Sequence, residues 1–351
     1  MKAAVFHDVR DVRLEEIPEP TPGDADVIIE VAACGICGSD LEYYYGRSPV
    51  GTADGKGPLV LGHEFSGTVV AAGKDALNVK VGDRVAVNPI QSSAGDDFSR
   101  SGNPNYDLHE VLGVTTNGAF ARYVRSRAEH AYKLPDSMSD EQGAFVEMLA
   151  ASVNAVERAE ITLGDLCVIY GPGPVGLSMV QLARRAGARV AMVGTRDYRL
   201  ELARRMGADH IFNIADAASK HYTDDLAGAI RAANGGVLAE RAILATSVVD
   251  ACEQALEITG NGSKIVYMGL AGPDDVLRVP MLSTLVQDKT ITFSWLYPNQ
   301  WPKTIRLLRD GIVDTSLIIT HSGPLDQINA AIDHVSERDD GVIKYVIKPG
   351  A

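Results

Sequence analysis

Residues 163–194 read LGDLCVIYGPGPVGLSMVQLARRAGARVAMVG. A short apolar run leads into a glycine turn, then an amphipathic stretch, then a second apolar run. This order is a strand, a turn, a helix and a strand, one βαβ unit of about 30 residues. Gly171, Gly173 and Gly176 stand in G-x-G-x-x-G spacing, with Pro174 and Val175 completing the turn. The spacing alone is weak, but a preceding strand and a following helix supply the context in which it binds a dinucleotide. The first glycine permits the tight turn and the second lets a pyrophosphate approach the backbone. The third lets the helix pack on the strand, and the helix N-terminus faces the phosphate charge.

Further units follow at RLELARRMGADHIFN, GGVLAERAILAT and VDACEQALEITGNGSKIVYMGL. Alternating strands and helices predict a doubly wound parallel sheet. The first 150 residues are different in style. DVIIEVAACGICG, PLVLGHEFSGTVVAAG and VGDRVAVNP are Val- and Ile-rich runs bounded by Gly, Pro, Asn and Asp, and they predict a β-rich domain. A helix is predicted over SDEQGAFVEMLAASVNAVERA, with Ser139 as N-cap. After about residue 288 the pattern is mixed again. The expected organisation is α/β, with a β-rich domain at 1–152 completed by 289–351 and a Rossmann domain at 153–288.

A net charge of −13 disfavours nucleic acid and anionic membrane as partners. No apolar run of about 18 residues predicts a membrane span. The opening MKAAVFHDVR lacks the apolar core of a signal peptide, so a cytoplasmic location is expected. Four cysteines are too few to frame a chain of 351 residues with disulfides.

The second strand of the βαβ unit bears on which dinucleotide binds. NAD sites place Asp or Glu about 20 residues beyond the glycines, on the ribose 2′-hydroxyl. Here the strand ends in GTRD, so Gly194 holds that place and Thr195 and Arg196 follow. A hydroxyl and a guanidinium suit a 2′-phosphate, which a carboxylate would repel. NADP is therefore expected over NAD, the alternative being that Asp197 takes the ribose.

CGICGSDLEYYYG and LGHEFSG supply Cys37, His63 and Glu64. Thiolate, imidazole and carboxylate form an S/N/O set suited to zinc, with a position left for water or substrate. Together with GICGSD, LGHEFSG, VGDRVAV, NGAFARYV, YGPGPVG and GADHIFN in that order, the chain resembles the zinc-dependent medium-chain dehydrogenase/reductase superfamily. Within it the chain looks most like the polyol (sorbitol-type) branch, with threonine dehydrogenases nearby. The resemblance implies a GroES-like catalytic domain and an active site in the interdomain cleft, with one catalytic zinc per chain held by Cys37, His63 and Glu64. Glu147 would reach the metal directly or through water, Ser39 would take the alcohol's proton, and Asp40 would orient His63. Gly269 and Lys344 are grouped with the cofactor residues, Lys344 also being expected near the metal carboxylate. A homodimer or homotetramer acting on a small polyol, sugar or ketone is implied.

The chain departs from that pattern in three places. Glu42 stands where a relay histidine is common, and could relay a proton itself or be a solvated side chain. SWLYPNQWP has Leu296 before Tyr297, without the arginine that touches substrate hydroxyls in sorbitol-type relatives. Tyr43 and Tyr297 remain as candidate pocket residues. Within QSSAGDDFSRSGNPNYDLHEVLG, the four cysteine positions of a structural zinc lobe are Ser93, Asp96, Ser99 and Asp107, so no structural zinc is expected. The expected function is a zinc-dependent, NADP-preferring dehydrogenase of a secondary alcohol. An aldose- or threonine-type dehydrogenase and a non-catalytic NADP-binding protein are the alternatives.

Overall fold

Leu166–Tyr170 is a strand buried at every residue, with a parallel strand on each edge. In a computed structural model, which describes residues 1–48, 57–91, 110–338 and 341–350, it is the centre of a six-stranded sheet. Across that sheet run His210–Asn213, Arg189–Gly194, Leu166–Tyr170, Ala239–Leu244, Thr259–Tyr267 and Thr290–Phe293, each adjacent pair parallel. In chain order that is 3-2-1-4-5-6, the doubly wound arrangement of dinucleotide-binding folds. The helices Pro174–Arg185, Asp197–Arg205, Leu226–Ala233 and Val249–Glu257 make the connections.

The chain divides into two units, Met1–Ala150 with Pro298–Ala351, and Ala151–Tyr297. The second boundary lies beyond the expected 288/289 because Thr290–Phe293 adds a sixth strand beside Lys264–Tyr267. The first boundary falls inside the helix Val146–Arg158. The helix predicted from Ser139 is there but interrupted at Phe145. Ser139 Oγ accepts from the Gln142 amide and Gln142 Oε1 accepts from the Ser139 amide, a reciprocal cap.

The first unit is built on Asp26–Gly35, which pairs antiparallel with Glu64–Ala72, Tyr123–Arg127 and Lys344–Lys348. Its core joins Val27, Ile29 and Val31 to Phe65, Val85, Phe120 and Ile347. The pairing of Cys34 and Gly35 with Val346 and Ile347 brings residues from near the end of the chain beside the start of the Cys37 segment. Segment 92–109, with Ser93, Asp96, Ser99 and Asp107, lies outside the described residues. The described residues on either side of it are joined, the Gln91 amide donating to the Glu110 carbonyl at 2.8 Å.

Candidate functional site

Cys37 follows the end of the strand Asp26–Gly35 and caps the helix Gly38–Tyr44. Its backbone amide donates to Asp40 Oδ2 at 2.8 Å, which fixes the turn. Glu64 opens the neighbouring strand, where it pairs with Gly35, and His63 immediately precedes it. The bend before them needs Gly62, whose φ is +89° and whose missing Cβ leaves room for Cys34 Sγ and Phe120. One ligand atom from each of Cys37, His63 and Glu64 lies within 4.8 Å of the others.

Asp40 is buried and organises this group. Its Oδ1 accepts from the Gly62 amide at 3.3 Å and lies 3.8 Å from His63 Nδ1. The imidazole thus turns Nε2 toward Ser39, whose Oγ is 3.4 Å away. Lys344, also buried, faces Glu64 Oε2 as an ion pair and donates to the Ile36 carbonyl at 2.9 Å. Glu147 is buried in the first turn of its helix. It stands outside the group of three, but its charge reaches both His63 and Lys344.

The residues fit a divalent cation. Glu64 Oε1 is buried without a hydrogen bond, and such a group costs free energy unless something satisfies it. The charges of Glu64, Cys37 and Glu147 all act on one buried ammonium, that of Lys344. Burial disfavours a proton on His63, yet the charges of Cys37, Asp40 and Glu147 outweigh it and raise its pKa well above the usual value. The same field favours a metal cation, and the S/N/O donors are those zinc takes with a position left open.

At the glycine turn each glycine has its own reason. Gly171 has φ +90°, and a Cβ there would press on the Ala245 carbonyl. A Cβ on Gly176 would overlap the Gly171 carbonyl, so helix and turn meet only without it. Gly173 faces open space and is the N-cap of Pro174–Arg185, where it brings no side chain to cap the helix end. Open room at uncapped amides is what a pyrophosphate needs. Gly269 likewise packs its backbone against the Thr246 carbonyl.

Comparison with known proteins identifies the family. The family described as "Alcohol dehydrogenase GroES-like domain" matches residues 23–136, and "Zinc-binding dehydrogenase" matches 174–310. Sorbitol dehydrogenase of Gallus gallus is 33% identical over 350 residues, covering 99% of this chain and 96% of that one. The chain belongs to the zinc-dependent medium-chain dehydrogenase/reductase superfamily, in its polyol dehydrogenase branch.

Among solved relatives are an Escherichia coli CFT073 alcohol dehydrogenase complexed with NADH and a Sinorhizobium meliloti 1021 zinc-binding dehydrogenase bound to NADP. Both have a TM-score of 0.89 and cover 99% of each chain, at 27% and 26% identity. The present medium-chain dehydrogenase is therefore an alcohol/polyol dehydrogenase that uses zinc and a nicotinamide cofactor. No helix among its described residues is long and apolar enough to cross a membrane.

Not every expected site residue lies where the sequence suggested. Tyr43 packs in the core of the first unit. It is buried, donates its hydroxyl to the Val114 carbonyl at 2.9 Å, and has its pKa pushed up to about 12 by burial. Tyr297 is also buried. Glu42 is forked by Arg47, with Nη2 to Oε1 at 3.0 Å and Nε to Oε2 at 3.2 Å. Lys344 sits at the Glu64 carboxylate, with its ammonium committed there and to Ile36. Asp197 Oδ1 accepts from Asn213 Nδ2 at 2.8 Å and from Ser219 Oγ at 2.6 Å. Sequence reading had no signal for the Arg47 fork or the Asn213–Ser219 clamp.

Proposed function

We propose that the enzyme oxidises a secondary alcohol of a polyol or sugar, or reduces the matching ketone, with NADP preferred over NAD and one zinc per chain. The observation that carries the reaction class is the buried donor group of Cys37, His63 and Glu64, with Ser39 at His63 Nε2. Bound there, zinc supplies Lewis-acid polarisation of the substrate oxygen, and the nicotinamide supplies the hydride acceptor or donor. Cys37, His63 and Glu64 hold the ion, and Glu147 stands by as a further carboxylate. Asp40 fixes the imidazole from its Nδ1 side, as outer carboxylates do for ligating histidines. Lys344 balances the Glu64 charge. Ser39 Oγ is the hydroxyl through which a substrate proton leaves or returns.

Two features support NADP. Gly194 offers no carboxylate, and the nearest one in sequence, Asp197, is already engaged by Asn213 and Ser219. Thr195 and Arg196 are exposed beside it. The test is a screen of polyols, ketones and aldoses against both cofactors, with zinc content measured on the same preparation. Turnover of secondary alcohols with higher kcat/KM for NADP is expected. Full activity without metal, or a clear NAD preference, sinks the respective half. Aldose turnover exceeding polyol turnover would select the aldose-type reading.

A homo-oligomer is proposed from the surface of the second unit. Met281, Leu282, Leu285 and Val286 on one short helix and Phe293 on the sheet's edge strand are all exposed, an apolar area that isolated proteins rarely leave uncovered. Sedimentation at low concentration would read the assembly. The free thiols, among them half-buried Cys37 and Cys252, suit a reducing compartment, so the cytoplasm is the proposed location.

A further inference from the structure

Gly194 ends the strand Arg189–Gly194, the point from which an acidic side chain grips the ribose in NAD-binding sheets of this order. The structure leaves that side chain no room. A Cβ at Gly194 would lie 2.6 Å from Cγ and 2.7 Å from Cδ of Pro172, and 3.3 Å from Cδ2 of Leu200. Real Cβ atoms do not come so close to a neighbour, and the two atoms belong to a ring tied to the backbone. A lysine tip could swing away; a proline ring cannot.

The ring itself is held. Pro172 is buried, and it follows Gly171, whose amide donates to the Val193 carbonyl at 3.0 Å. The turn is thus stitched to the strand that ends in Gly194, and the ring is fixed against that end. Leu200, on the helix Asp197–Arg205, closes the other side at 3.3 Å, itself tighter than an ordinary contact.

We propose that Pro172 is a specificity-determining residue for the cofactor: its ring fills the volume a side chain at position 194 would need. It acts through Gly194, keeping that strand end free of a carboxylate and open to a phosphate beside Thr195 and Arg196. This rests on the NADP preference proposed above. It also makes an acid at 194 useless while Pro172 is present, so the two positions change the cofactor only together.

The experiment is a double-mutant cycle with two readouts. Without cofactor, Gly194→Ala lowers Tm by roughly 2–8 °C when Pro172 is present and by much less in a Pro172→Ala background, where Cγ and Cδ are gone. With cofactor, Gly194→Asp alone leaves the enzyme poor with both nucleotides. In the Pro172→Ala background the same change raises the NAD-to-NADP ratio of kcat/KM about tenfold or more over Pro172→Ala alone. Equal Tm losses in the two backgrounds overturn the role of Pro172. So does a well-folded Gly194→Asp enzyme that prefers NAD with Pro172 intact. A wild-type enzyme preferring NAD overturns the NADP reading and the specificity role with it. A flat thermal cycle in an NADP-preferring enzyme overturns the Pro172 role alone.

Discussion

Around Cys37 the protein buries charge, whereas at the glycine turn it removes everything a side chain would put in the way. In the first region Asp40, Glu64 and Glu147 are all buried, and the charge of each acts with that of buried Lys344. In the second, Gly171 and Gly176 hold strand and helix together by having no Cβ, and Gly173 leaves open room. The first is an electrostatic device that needs a cation to complete it. The second is a steric device, complete as folded, that needs only a ligand of the right charge. Damage to one should therefore leave the other working.

The sharpest break in that comparison is Cys37→Ser. Losing the thiolate should empty the metal site and cost several kcal/mol of transition-state stabilisation, a fall in kcat/KM of about a thousandfold or more. NADP(H) affinity, read by nucleotide fluorescence, should stay within about threefold. Comparable loss in both would mean that the two devices are not separate.

Lys344→Met probes the electrostatic device from inside. It leaves Glu64 buried without its ammonium, and breaking a buried pair from one side costs about 3 kcal/mol. Denaturant unfolding of chelator-treated protein should show that loss, and zinc should restore much of it by balancing the carboxylate. An unchanged unfolding curve would show that the pair contributes nothing to the fold. Gly176→Ala is the counterpart in the steric device. Its methyl presses on the Gly171 carbonyl and shifts the helix start, so cofactor affinity should fall about ten- to a hundredfold, or about 1–3 kcal/mol. Zinc content should be unchanged. Normal cofactor affinity would mean that the turn has slack.

The same contrast explains what the sequence could reveal. A steric device is local: strand, glycines and helix lie within residues 163–194, and their spacing is itself the mechanism. Even so, Pro172 is an ordinary residue of that turn until the fold lays it against Gly194. The electrostatic device draws on distant parts of the chain. Cys37 and His63–Glu64 were legible as residue types that bind metal, but Lys344 donates to a carbonyl 308 residues away, and only sheet pairing brings it there. Tyr43, expected as a pocket residue, packs in the first unit's core together with Tyr44, a placement that no pattern in the sequence marks.

Glu42 gives the smallest test. A carboxylate three residues beyond Ser39 invites a proton-relay role, and the sequence alone left that open against a solvated side chain. In the fold both its oxygens accept from Arg47, whose guanidinium also lies 5.1 Å from the centre of the Tyr45 ring. Such an exposed pair contributes little. Glu42→Gln should therefore change kcat by less than about twofold and leave the pH–rate profile where it is. A lost or displaced limb in that profile would place Glu42 in the relay. The electrostatic device would then extend from the buried zinc ligands to the surface of the helix Gly38–Tyr44, and its separation from solvent would be smaller than the burial of Asp40 and Glu64 implies.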